Sequence, residues 1–143
     1  MGRIYVTHCS NDKDENLCGS GRKVSVERLH QGIALHRFID KCQTRNVKWA
    51  IFCDKHGICF PDNPICEWYD LSPKDISIDI LRSMAQDFVS QLSDFDEIFF
   101  YGNHTSPHFS PAHARLLNFV DDVLFQTEKP PIHRITKFSQ IEE

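Results

Sequence analysis

Four short apolar runs separate the longer, more polar parts of the chain, and each run is too short to form a helix. Three of them are rich in β-branched and aromatic residues, which favour strands. The fourth follows a Pro-Pro pair and is typical of a short edge strand. The pattern therefore predicts strands at residues 3–7, 48–53, 97–101 and 132–138.

Between these runs, apolar residues recur at the three- and four-residue spacing of amphipathic helices. Ser25 is a suitable cap for the first helix, and Gly32 interrupts its apolar face. Serine-proline pairs precede the other two helices, as expected at helix starts. Helices are thus expected at residues 25–45, 76–92 and 112–125. Alternating strands and helices predict one α/β domain over residues 1–143, a three-layer α/β/α sandwich with a mainly parallel sheet of about four strands.

Charge and hydropathy exclude some classes of protein. The net charge is −4 with histidines neutral, which argues against a generally basic nucleic-acid-binding surface but permits a local basic patch. The sequence contains no apolar run of membrane-spanning length, so we expect no membrane partner. Its first residues lack the apolar region of a signal peptide, and we therefore expect a cytoplasmic protein. The sequence does not indicate an oligomeric state.

The chain has six cysteines but no C-x-x-C motif. Five and six residues separate Cys53, Cys59 and Cys66, which is wider than the usual zinc-knuckle spacing. Without a secretion signal, reduced thiols are favoured over disulfides. We therefore expect reduced cysteines, no bound metal and no cofactor.

Each of the first three predicted strands is followed by a cluster of polar or reactive residues. These clusters are His8-Cys9-Ser10, the segment 53–57 and Gly102-Asn103-His104. The carboxyl ends of parallel strands meet at one edge of a sheet, where open α/β folds bind ligands. The three clusters together predict a ligand-binding or active site at that edge.

Side-chain chemistry suggests roles at this site. Cys9 is the candidate nucleophile, Lys55 can balance an anion, and His56 can act as a general acid or base. Asp70 can orient a histidine or bind a ribose hydroxyl, and Tyr69 can stack on a base. The predicted catalytic residues are Cys9, Lys55, His56 and Asp70, and the predicted ligand-binding residues are Ser10, Lys13, Gly57, Asp62, Tyr69, Asn103 and His104.

We expect a specific arrangement of these residues. Cys9, Lys55, His56 and Asn103 are predicted to line one pocket. The proline-rich loop at residues 61–64 is predicted to fold Tyr69-Asp70 back over it.

The motifs also carry a resemblance to known proteins. Cys-Ser-x-x-Lys at 9–13, Lys-His-Gly at 55–57, Pro-Asp at 61–62 and Tyr-Asp at 69–70 resemble an uncharacterised family of small α/β domains. That family is distantly similar to the peroxide-stress protein group and to domains found with deazaguanine transglycosylases and archaeosine synthases. The resemblance covers about the first half of the chain. It differs at Cys53-Asp54, where small residues are usual, and in an enlarged first loop that contains Cys18.

The resemblance and the candidate residues imply three alternatives. The first is an enzyme, or a partner of one, that acts on a nucleobase, nucleoside or nucleotide in nucleic-acid modification or repair. The second is a non-catalytic nucleotide-binding or accessory module that contacts nucleic acid or a modification enzyme. In the third, Lys55, His56 and Asp70 only hold a loop in place.

Overall fold

The fold is seen in a computed structural model that describes residues 2–9, 13–71, 75–102 and 110–142. Five strands form one sheet in the spatial order β3-β2-β1-β4-β5. The strands are β1 (Arg3–His8), β2 (Trp49–Cys53), β3 (Gly57–Cys59), β4 (Glu97–Tyr101) and β5 (His133–Ile135). The runs predicted from apolar content match β1, β2, β4 and β5 to within a few residues.

The sheet is mixed, which corrects the expected mainly parallel sheet of about four strands. β1 pairs in parallel with β2 on one side and with β4 on the other, and β4 pairs in parallel with β5. β3 instead pairs antiparallel to β2. The antiparallel pair arises because the chain turns back directly after Cys53, with Gly57 at a φ of +71° that glycine adopts readily.

Four α-helices are present in the described residues. They are α1 (Val26–Leu29), α2 (Ile33–Thr44), α3 (Ile78–Gln91) and α4 (Pro111–Gln126). Ser77 caps α3 by accepting a hydrogen bond from the Ile80 amide, so this helix begins after the expected serine-proline start at residues 72–73, which lies outside the described residues. α4 begins at the expected serine-proline pair, Ser110-Pro111.

The helix expected over residues 25–45 is in fact two helices. His30 ends α1 in an extended conformation, and Gly32 stands just before α2. The His30 side chain is fully buried, its backbone forms an antiparallel bridge with Lys13, and its carbonyl oxygen bonds to the His36 ring. At this point His30, which is buried and pairs with Lys13, takes the place of one turn of helix.

Alternate strand residues point to opposite sides of the sheet, and each side has its own apolar core. One core joins β1 and β2 residues such as Val6 and Phe52 to Phe88 of α3 and Leu116 of α4. The other joins the intervening strand residues, such as Ile51, to α2. The polar groups that follow β1 and β2 lie at the carboxyl ends of the parallel strands, next to both cores.

Candidate ligand site and thiol cluster at the carboxyl edge

The ends of β1, β2 and β4 lie side by side. The Cys9 amide donates a 2.8 Å hydrogen bond to the Phe52 carbonyl, and the Thr7 hydroxyl donates a 2.8 Å hydrogen bond to the Tyr101 carbonyl. These contacts extend the parallel register just past the strands. The segments after β1 and β2 are therefore neighbours, and β4 ends beside them.

Tyr69 is the centre of contacts among the predicted site residues. Its hydroxyl lies 3.2 Å from the Cys9 sulfur, and the Lys13 amine lies 4.5 Å above the centre of its ring. The His56 ring meets the Tyr69 ring edge-on, with 5.4 Å between centroids. The tyrosine is 5% exposed, and burial raises the pKa of its hydroxyl. Four residues chosen from sequence therefore pack together.

The segment carrying Tyr69 is held against the turn after β2. The His56 ring nitrogen Nε2 lies 3.1 Å from the Glu67 carbonyl oxygen, and the Lys55 amine lies 3.8 Å from the Glu67 carboxylate. The ion pair is half-exposed and stabilises the fold little. Lys55 and His56 thus contact the segment that carries Tyr69.

The remaining predicted residues are placed elsewhere or are not described. Asp62 is exposed at a φ of +61°, and its amide donates to the Glu27 carboxylate. Asp70 is also exposed. Ser10, Asn103 and His104 lie outside the described residues.

Three buried cysteines lie close together at the end of β2, at the end of β3 and in the segment that leads to Tyr69. The Cys59 sulfur lies 3.8 Å from the Cys53 sulfur and 3.3 Å from the Cys66 sulfur. The Cys53 sulfur is also 3.5 Å from Nε2 of His30. The thiol cluster, which we define as Cys53, Cys59 and Cys66, is fully buried. Spacing along the sequence gave no sign of it because the cluster depends on the β2–β3 hairpin, which was not predicted, and on the long-range bridge between Cys66 and Val24.

Hydrogen bonds in this region shift the pKa values of the thiols in opposite directions. Hydrogen bonding from Cys53 lowers the pKa of the Cys9 thiol to about 7, although burial opposes the shift. Hydrogen bonding from Cys53 and Cys59 lowers the pKa of Cys66 to about 3, and hydrogen bonds in the same cluster raise the pKa of Cys53. All six cysteines have unpaired thiols.

A buried histidine-carboxylate pair lies beside the end of β2. Nε2 of His113 donates a 2.8 Å hydrogen bond to Oδ1 of Asp54, and both side chains are nearly buried. The His8 ring stacks on the His113 ring at 5.1 Å, and Phe52 meets it edge-on. His113 was not among the residues predicted from sequence. A signal was present, because His113 occupies a core-facing position three and four residues before Leu116 and Leu117.

A cavity of about 290 Å³ opens between the turn after β2 and the exposed side of α3. Phe52 and Met84 supply apolar surface, and the other lining residues are Asp54, Lys55, His56, Gly57, Asp87, Ser90 and Gln91. Among the described residues, Cys9 is not part of this lining. The expected single pocket is therefore two neighbouring sites, the cavity and the group around Tyr69.

The fold and these two sites define an α/β protein with a polar cavity and a buried thiol cluster at one edge of a mixed sheet. No protein-family model, curated protein or solved structure matches the chain. Within the described residues, every helix is too short or too polar to cross a membrane.

Proposed function

We propose that the cavity binds a nucleobase or nucleoside and that the protein serves nucleic-acid modification or repair. The observation that carries this proposal is the polar cavity beside β2 and α3. Its lining combines two apolar side chains with carboxylate, amine, hydroxyl and amide groups. A heterocycle with polar edges needs this combination, in which apolar surface contacts the ring and polar groups fix its orientation.

The size of the cavity favours a small ligand. Its volume of about 290 Å³ is near the lower end of the range of about 300–1,000 Å³ that is usual for small-molecule sites. A single base or nucleoside suits this space better than a dinucleotide or a folded segment of nucleic acid.

The charges around the cavity favour the base over a phosphate group. Asp54 and Asp87 both line it, and Lys55 is its one lysine or arginine among the described residues. Lys55 already lies 3.8 Å from the Glu67 carboxylate. Carboxylates accept hydrogen bonds from the amino and ring N–H groups of bases, whereas they repel phosphate.

The cavity wall is partly preorganised. His113 holds the Asp54 carboxylate from the side of α4, and the Gln91 side chain accepts a 3.2 Å hydrogen bond from the Ile58 amide. Groups fixed before a ligand arrives lose less conformational entropy when it binds. The first contact ties the lining to α4, and the second ties it to β3.

Three further observations support the wider proposal. Contacts among Cys9, Lys13, His56 and Tyr69 support a relationship to the small α/β family whose motifs they resemble. The two cores on opposite sides of the sheet support a three-layer arrangement. Six unpaired thiols are typical of a reducing compartment such as the cytoplasm.

One observation favours a binding module over an enzyme. Cys9, the candidate nucleophile, contacts Tyr69 and is not among the described residues that line the cavity. The cavity therefore offers recognition groups without the proposed nucleophile. In this alternative the protein presents or senses a base or nucleoside for a partner enzyme or nucleic acid.

The test is a binding screen with the free bases and nucleosides, monitored by amide chemical shifts. We expect shifts at residues 54–57 and 84–91, and we expect Asp87→Ala to weaken binding about tenfold, which corresponds to about 1.4 kcal/mol. Gln86→Ala is the matched control, because Gln86 is exposed on the same helix but does not line the cavity. Chromatography of the same mixtures shows whether any ligand is converted.

Two results would contradict the proposal. One is a screen in which no base or nucleoside shifts the cavity signals at millimolar concentration. The other is equal binding by Asp87→Ala and Gln86→Ala, since the ligand would then lie outside the cavity.

A further inference from the structure

The thiol cluster brings together three residues from separate parts of the fold. Cys53 ends β2, Cys59 ends β3, and Cys66 is held by reciprocal backbone hydrogen bonds with Val24, of 2.7 and 2.9 Å. Their sulfur atoms all lie within 4.8 Å of one another and are buried. The hairpin and the bridge to Val24 fix the backbone at all three cysteines.

We propose that Cys53, Cys59 and Cys66 bind one zinc ion as three thiolate ligands. In tetrahedral coordination with zinc–sulfur bonds of about 2.3 Å, the sulfur atoms lie about 3.8 Å apart. The Cys53 and Cys59 sulfurs are 3.8 Å apart, and the Cys59 and Cys66 sulfurs are 3.3 Å apart. A small outward movement of Cys66 brings the cluster to the spacing that zinc requires.

A histidine lies beside the cluster. Nε2 of His30 is 3.5 Å from the Cys53 sulfur. Cys53, His30 and Cys9 form a second close group that shares the Cys53 sulfur. Cys53 therefore belongs to two close groups, and His30 is in the one that does not include Cys59 and Cys66.

Thiol chemistry favours a metal over a purely packed cluster. Thiols are weak hydrogen-bond donors and acceptors, so three of them gain little from contact with one another. A disulfide would require a sulfur–sulfur distance of about 2.0 Å and would leave the third thiol without a partner. A set of three thiolates selects a soft or borderline metal such as zinc. Binding releases to solvent the protons of those thiols that are still protonated.

This inference reverses the expectation from sequence that no metal is bound. That expectation depended on the absence of C-x-x-C spacing. This motif identifies zinc ligands only when they lie on one local turn. Here the ligands are brought together by a β-hairpin and by an antiparallel bridge between residues 24 and 66. The thiol cluster is separate from the cavity, whose described lining contains no cysteine.

The experiment measures metal in the full chain, purified with reducing agent and without chelator. We expect about one zinc ion per chain, and removal of the ion should be accompanied by proton uptake from solvent as the thiolates become thiols. Zinc X-ray absorption of the unmutated protein should show three sulfur neighbours at about 2.3 Å. This second measurement needs no variant and therefore does not depend on whether a mutant folds.

Variants then assign the site. Cys59→Ser and Cys66→Ser should lower zinc content at least tenfold, whereas Cys42→Ser should retain it. Cys42 is a matched control because it is also fully buried but lies on α2, outside both close groups. Protein that neither contains nor takes up zinc would overturn the proposal. So would a bound zinc ion with fewer than three sulfur neighbours, or equal zinc loss in Cys42→Ser and Cys59→Ser.

Discussion

His113 and Asp54 form a hydrogen-bonded pair, 2.8 Å between Nε2 and Oδ1, although 59 positions separate them in the sequence. Their side chains are only 7% and 5% exposed. The pair joins α4 to the end of β2 at the wall of the cavity. Since neither group has much access to water, each supplies the hydrogen bonding that the other loses on burial.

We expect His113→Ala to lower the free energy of unfolding by about 3 kcal/mol, because it leaves the Asp54 carboxyl group buried without this donor. Denaturant titration followed by circular dichroism measures the change. Arg115→Ala, at an exposed position on the same helix, is the control and should change stability by less than about 0.5 kcal/mol. Equal stability of the two variants would show that the pair contributes nothing to folding.

Gly57 and Gly21 allow backbone strain and steric contact to be separated. Both have φ near +70°, and an added Cβ at Gly57 would lie 3.1 Å from the Gln91 amide oxygen, whereas at Gly21 it meets no atom within 4 Å. We expect Gly21→Ala to destabilise the fold by about 1 kcal/mol from strain alone. Gly57→Ala should cost more, because it also disturbs the hydrogen bond between Gln91 and Ile58.

Thermal or denaturant unfolding of both variants measures this difference. The variants share the same change in side chain and nearly the same φ, so unfolded-state effects are matched. A smaller loss for Gly57→Ala than for Gly21→Ala would mean that Gln91 moves aside without cost.

Cys42 and Cys18 should differ sharply in alkylation by iodoacetamide. Burial raises the pKa of the Cys42 thiol to about 12, so at pH 8 it is protonated and unreactive, since the thiolate is the nucleophile. Cys18 is exposed and should be modified well before Cys42. Raising the pH toward 10 should increase the reactive fraction of Cys42, with burial still limiting access.

Peptide mass spectrometry of timed samples identifies which cysteine has reacted. Cys18→Ser should remove the product at Cys18 while leaving the slow modification of Cys42 unchanged. Modification of Cys42 as rapid as that of Cys18 in folded protein would contradict the burial of α2 against the sheet.

Local sequence patterns predicted much of the fold. The strands β1, β2 and β4 are short apolar runs, and α3 and α4 carry apolar residues at helical spacing. These signals are local, so they are readable without tertiary structure. β3 was missed because it has three residues and exists only through its pairing with β2. The break at His30 was also missed, since pairing with Lys13 is a tertiary contact.

The candidate site was predictable only in part, for the same reason. Cys9, His56 and Tyr69 were chosen because they follow or face strand ends, and these residues do pack together. His113 and the thiol cluster depend on contacts between distant segments. No known ligand spacing along the chain would have joined Cys66 to Cys53.

The position of β1 in the sheet also affects how the protein forms during synthesis. β1 lies between β2 and β4, and its residue Arg3 pairs with Glu97, 94 positions later. Its Tyr5 hydroxyl exchanges hydrogen bonds with the backbone of Glu142. While the ribosome adds the intervening residues, the edge of β1 that later pairs with β4 therefore lacks its neighbour. Long-range pairing of this kind is slow, and unpaired strand edges attract other chains, so β1 is open to pairing with other chains until β4 has been made.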